Sequence, residues 1–416
     1  MKIIFILSSL IILTYYFIYR SKLDIFTIAF LCCEFYFLPG FFGFTTRIFD
    51  DKTREYIKCS DKLYFIFILV IVFLFIFTIF NDKEIHTFFY KYNQKEGDVF
   101  NSKDDDKKMD NNLVSYTCTS ILIIIIIIFF LIEGKSVFGK SKLEYMGSIG
   151  IVYQILRYLI PIVFAFAIVN KNKFSYIASA IGISIDLYMS NRTVLLLCIL
   201  TFILAFIYKY DKKNIYKYKK ILIIIPIICI SFLVFERIIE PIQKKDWKEF
   251  NKRIVSTETY IDAIIVSEPF VTQTILEEVI KKDYRVKNAT INLFDKNNTF
   301  NNQFQSELFP EITKYRMAEN IWAEFYSNYK LIGVFIMAFM YSFIIYILNL
   351  CILKLKNSIY LPYLYIVSSN WIFFIHRGSI VNQLLRQKNI ILVFGVCIIT
   401  AYILKICFKS IQVWKE

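Results

Sequence analysis

The sequence has no C-x-x-C pair and no cysteine spacing that suggests a disulfide framework, and its only histidines are His86 and His376. The usual thiolate and histidine metal sites therefore have little to be built from. Of nine cysteines, eight lie in or beside apolar runs and Cys59 stands alone in a loop. No small-residue cleavage site follows "MKIIFILSSLIILTYYFIYR", so this stretch reads as a retained span rather than a signal peptide. No internal repeat is visible, which argues against transporters built from paired repeats.

What is abundant is apolar surface. The 416 residues are 57% hydrophobic and 18% aromatic, and the mean hydropathy is +0.53. Repeated apolar runs near the ~17–25 residues of a crossing helix predict an all-α polytopic membrane protein. About eleven spans are expected, within 10–12, at 3–19, 25–45, 63–80, 116–132, 148–169, 174–189, 193–208, 221–236, 330–353, 358–375 and 389–407. The organisation expected is a bundle of about eight spans over 1–236, a large external loop or cap over 237–329, and three spans over 330–416. In that loop, 257–282 reads as two short helices broken near Pro269.

The net charge of +15 fits lysines flanking spans rather than nucleic-acid binding. One orientation places 20 Lys and Arg in cytoplasmic segments against 13 in short external ones, helped by six lysines in "KYDKKNIYKYKK" (209–220). The positive-inside rule then puts the N-terminus and residues 237–329 outside and the C-terminus inside.

A few polar residues stand out against this background. Arg192, in the short turn "SNR", is either a flanking charge or an anion contact, for which a planar fork of donors is well suited. Arg157 lies inside an expected span, where a charge costs roughly 2.5–3.5 kcal/mol and usually faces the bundle interior. It either snorkels or meets a partner such as Glu34. In "RMAENIWAEFYSNYKLIGVF" (316–335), Asn320, Glu324 and Asn328 share one helical face at i, i+4 and i+8. That stripe is either a solvated interfacial face or a carboxylate flanked by amides that orients a sugar hydroxyl. "FIHRGSIVNQLLRQK" (374–388), expected as an external loop, holds His376, Arg377 and Arg386. His376 is either an interfacial side chain or a proton carrier beside a phosphate-binding arginine.

Two matches carry less. "KDDDKK" (103–108) contains D-x-D, but no Rossmann-like βα pattern surrounds it, and a solvated charge run explains it. "FDDK" (49–52) offers Asp50 and Asp51 among Arg47, Lys52 and Arg54, which is ordinary loop chemistry.

The short turn bearing Arg192, the large late loop and "NIWAEFYSNYKLIG" entering the next span together resemble the O-antigen polymerase (Wzy-type) family and related repeat-unit polymerases. Glu324, Phe325 or Tyr326, Asn328 and Gly333 stand where that family has an acid, an aromatic, an Asn and a spaced Gly; "NYK" replaces the family's Asn-Phe-Gly. "HRGSIVN" resembles its late arginine-bearing loop. The resemblance implies a metal- and nucleotide-independent glycosyltransferase of lipopolysaccharide or other polysaccharide biosynthesis, working at the periplasmic face of the inner membrane. It would transfer a growing glycan from undecaprenyl diphosphate to a new lipid-linked repeat unit. On this reading Arg157, Arg192 and Arg377 bind diphosphate, with Arg316 and Arg386 as further candidates. Glu324 or His376 is the base, and Asn320 and Asn328 orient substrate. Trp247, Tyr260 and Trp322 are sugar-stacking candidates. No cofactor and no nucleic acid is expected. The expected partners are undecaprenyl-diphosphate-linked oligosaccharides and membrane lipids, with a chain-length regulator and a flippase beside them.

Three other readings stay open at the level of sequence. An O-antigen ligase shares the donor but hands the glycan to lipid A core. A transferase using lipid-monophosphate sugars would make Asp50 and Asp51 catalytic. A flippase or other transporter would also place charges inside spans, though the one-sided loop does not suit it.

Overall fold

The computed structural model describes residues 1–20, 23–48, 54–93, 104–134, 150–189, 191–209, 241–242, 246–286, 300–312, 317–356 and 358–413. The expected span 221–236 lies outside these residues, as do Arg316, Asp50 and Asp51.

α1 (Lys2–Thr14) runs into a π turn at Tyr15–Tyr19. α2 (Ile25–Tyr36) starts on a capping box, with the Asp24 carboxylate taking the Phe26 and Thr27 amides. It stops at Tyr36, because Pro39 cannot donate to a continuing ladder. A short α3 (Leu38–Phe42) then ends at Gly43, whose φ of +94° turns the chain. The expected span 25–45 is thereby corrected: after α3 comes an antiparallel hairpin, β1 (Phe44–Ile48) and β2 (Arg54–Lys58), in register Phe44↔Lys58 to Ile48↔Arg54. Its β-branched and aromatic residues suit a paired edge better than a helix.

α4 (Asp61–Asn93), α5 (Asp104–Ile132), α6 (Ile151–Asn170), α7 (Lys173–Tyr188) and α8 (Thr193–Lys209) follow. Of the region 237–329, the described helices are α9 (Trp247–Val255), α10 (Thr257–Ile265), α11 (Glu268–Lys281) and α12 (Phe300–Leu308). Pro269 sits in the first turn of α11, where its missing N–H costs nothing. The last three helices are α13 (Ile321–Lys354), α14 (Leu361–Phe374) and α15 (Ile380–Val413), with a 3-10 turn Ile375–Arg377 between the latter two.

Among the described residues, six helices are long and apolar enough to cross a membrane: Lys2–Tyr19, Asp61–Asp82, Asn111–Ile132, Ile151–Asn170, Ile321–Lys354 and Ile380–Cys407. α2 and α8 are apolar but shorter. The chain is a helical membrane protein whose only described sheet is the two-stranded hairpin.

α13 packs on α2, α4, α11 and α14, while α6 packs on α5, α7, α8, α14 and α15. α11 is no loose cap. It lies against α2, α3, α4, α13 and β1, with Phe270, Ile275, Leu276 and Val279 buried. Its acids tie it to the hairpin and α4: Glu277 accepts from the Ser60 amide and hydroxyl, and Glu278 faces Arg47 at 3.6 Å.

A buried polar cluster closes one end of the bundle. Arg20, 3% exposed, binds Asp24 and Asp82 at 2.6 and 2.7 Å. Beside it Asn349 donates to Asn81 at 2.8 Å and accepts from the Tyr208 hydroxyl. Because α2 begins at this cluster, its far end, Cys33–Tyr36, lies at the other end of the bundle.

Candidate functional site

α13 and α15 both begin at that other end, and two carboxylates join them. Glu319, in the extended segment before α13, accepts from the Ser379 amide at 2.7 Å and from Asn382 Nδ2 at 2.5 Å. Glu324 accepts from the Ile380 amide at 2.9 Å. The first N–H groups of α15 have no partner within the helix, and the helix N-terminus carries partial positive charge, so carboxylates belong there. Both are buried, at 3% and 4% exposure. Glu319 Oε1 accepts no hydrogen bond among the described residues.

The amides flanking Glu324 have structural work. Asn320 caps α13, accepting from the Trp322 and Ala323 amides and donating to the Thr272 carbonyl at 2.9 Å. Asn328 Nδ2 donates to the Glu324 backbone carbonyl at 2.8 Å. Both amides flanking the carboxylate in sequence therefore bind backbone, and Asn320 Nδ2 also reaches Gln273 Oε1 at 3.4 Å. The backbone then breaks at Lys330 (φ 57°, ψ −144°). Lys330 is held there by its ammonium on Asp283 Oδ1 at 2.5 Å. Gly333 is required just beyond, since a Cβ there meets the Phe325 carbonyl and Tyr329 Cβ.

His376 is fully buried in an aromatic box. Its Nδ1 accepts from Trp322 Nε1 at 3.2 Å, so the proton sits on Nε2, 3.5 Å from Cys33 Sγ. Tyr36 stacks on the ring with centroids 5.1 Å apart, and Phe37 and Tyr341 meet it edge-on. Burial pushes the imidazole down to about 3. A neutral histidine with both nitrogens engaged is a packing element, which argues against its role as base. Trp322 is likewise buried core and presents no stacking surface. Trp247 and Tyr260 are exposed, and the Tyr260 hydroxyl donates to the Ile254 carbonyl.

Two of the expected arginines, Arg377 and Arg386, share the Phe374 ring. Arg386 lies one turn beyond Asn382, which binds Glu319. It stands in the second turn of α15, not in the loop expected over 374–388. Its guanidinium sits 4.4 Å from the Phe374 ring centroid, and its buried Nη1 makes no hydrogen bond among the described residues. Arg377 grips Glu268, with Nη1 at 2.6 Å and Nε at 2.5 Å, and Tyr36 donates to the same carboxylate at 3.2 Å. Arg157 does not pair with Glu34, which sits near Ser9 of α1. Its Nε faces Asp186 Oδ1 at 3.6 Å, and that oxygen also takes the Tyr153 hydroxyl at 2.6 Å. Asn191 Nδ2 donates to Tyr153, which places Arg192 next in chain to this network and half-buried.

Asp186, Glu268 and Glu319 were not singled out in the sequence. Asp186 had a signal: a lone acid inside an apolar run needs a cationic partner as much as Arg157 needs an anionic one. Among the described residues no three His, Cys, Asp or Glu side chains are grouped to hold a metal ion. No protein-family model matches the chain, and no curated protein or solved structure is significantly similar to it.

Proposed function

We propose that the chain polymerises undecaprenyl-diphosphate-linked oligosaccharide repeat units, as O-antigen, capsule or exopolysaccharide, at the periplasmic face of the bacterial inner membrane. The observation that carries this reading is that Glu319 and Glu324 hold the start of α15, the helix that carries Arg386 in its second turn, with Arg377 in the turn just before it. Such a reaction needs cations at the departing diphosphate and a carboxylate at the attacking hydroxyl. The lipid diphosphate is already a good leaving group, so a nucleotide-binding domain has no place in the scheme. Arg386 is the first choice for the diphosphate, since carboxylates already engage Arg377 and Arg157.

Deletion and complementation in the native host test the reading. Loss of the gene leaves single-unit surface glycan and lipid-linked units on the outer face, and the wild-type gene restores long chains. Bare lipid A core after deletion points instead to ligation, and accumulation on the cytoplasmic face points to transport. Either outcome overturns the proposal.

A further inference from the structure

Glu319 Oε1 and Arg386 Nη1 form a pair of unused valences. Both atoms are buried, neither has a hydrogen-bond partner among the described residues, and Arg386 stands one turn beyond Asn382, the residue that binds Glu319, on the same face of α15. Leaving a buried acceptor and a buried donor unbonded is costly, and in native proteins such groups are few. The rest of the Glu319 carboxylate is fixed: Oε2 is held by the Ser379 amide and Asn382 Nδ2. Its orientation is therefore set by one backbone amide and one side-chain amide, and one oxygen is left over. Arg386 is fixed in turn by its face on Phe374.

We propose that Glu319 is the base that activates the acceptor hydroxyl, and that Arg386 holds the leaving phosphate oxygen beside it. This rests on the polymerase reading and names the residues that carry its chemistry. In the step, the acceptor oxygen forms a bond to the donor's anomeric carbon. The bond from that carbon to the phosphate oxygen breaks, and its electron pair leaves on the lipid diphosphate next to Arg386. The hydroxyl proton moves to Glu319 Oε1. A base at the acceptor hydroxyl and a cation at the departing phosphate both serve this displacement, because a proton leaves at one end of the reacting bond while negative charge develops at the other.

The test uses full-length protein reconstituted in vesicles, with lipid-linked repeat units extracted from the host lacking this gene. Wild-type protein extends these units into a ladder. Glu319→Gln keeps an oxygen for the Ser379 amide and removes the base, and the extension rate is expected to fall about 10²–10⁴-fold, the usual contribution of a positioned base. Glu319→Ala is expected to regain part of its rate with added formate, and a Glu319→Gln protein that melts with the wild type yet stays slow separates loss of the base from loss of the latch to α15. An active Glu319→Gln, or a Glu319→Ala protein that formate does not rescue, overturns the assignment while the wild-type ladder keeps the polymerase reading standing. If wild-type protein makes no ladder, the reading fails and the assignment with it.

Discussion

Glu319 and Glu324 accept hydrogen bonds from the backbone amides of two successive residues, Ser379 and Ile380. The start of α13 is thereby latched to the start of α15 through two buried carboxylates. Removing either leaves a buried amide unbonded, which costs about 1–3 kcal/mol. Glu324→Ala is expected to lower the melting temperature in detergent, and Glu324→Gln, which can still accept from Ile380, to lower it less. Equal melting of the two variants contradicts the latch.

His376 predicts an acid-sensitive fold. Its folded value of about 3 lies below the ordinary 6.5, so the unfolded chain takes up the proton first. The contribution is fully present above pH ~6.5 and is lost as pH falls toward about 3. At pH 5 the loss amounts to about 2 kcal/mol. Wild-type protein is expected to melt earlier as pH drops from 7 to 5, and His376→Gln to lose much of that slope. A slope unchanged in His376→Gln contradicts the neutral, buried state.

Arg377 and Glu268 tie the turn before α15 to the first turn of α11. The pair is partly exposed, so a double-mutant cycle with Arg377→Ala and Glu268→Ala is expected to give a coupling of about 1–2 kcal/mol, between that of surface and buried pairs. A coupling near zero means that α11 is held by its apolar face alone.

Gly333→Ala is expected to destabilise by more than the small penalty of an ordinary helix substitution. The added methyl meets the Phe325 carbonyl, which is fixed backbone. Melting equal to wild type means that the break at Lys330 relaxes freely.

The long apolar runs were legible because lipid leaves the backbone few choices. α6, α7 and α8 lie within a few residues of the stretches read at 148–169, 174–189 and 193–208, and α5 ends at 132 as read but begins twelve residues before 116. The hairpin was not legible, since "FTTRI" and "REYIK" abut an apolar run and are short. Arg157 was visible as a charge out of place, but its partner proved to be Asp186 rather than the candidate Glu34, because pairing depends on which helices neighbour each other. His376 looked like chemistry because histidine is scarce here; only the surrounding rings identify it as core. Glu319 was hidden by its neighbour, since Glu324 fitted a helical stripe whereas Glu319 precedes the helix and follows no period.

The break at Lys330 divides α13 into unequal parts. Unbroken, a helix from Ile321 to Lys354 is about 50 Å long, well beyond the ~30 Å of a bilayer's hydrocarbon. The stretch after the break is about 36 Å, enough to cross unaided. One residue with non-helical dihedrals thus separates a stretch of spanning length from the turns that carry Glu324, Ser327 and Asn328, and joins the two without a loop.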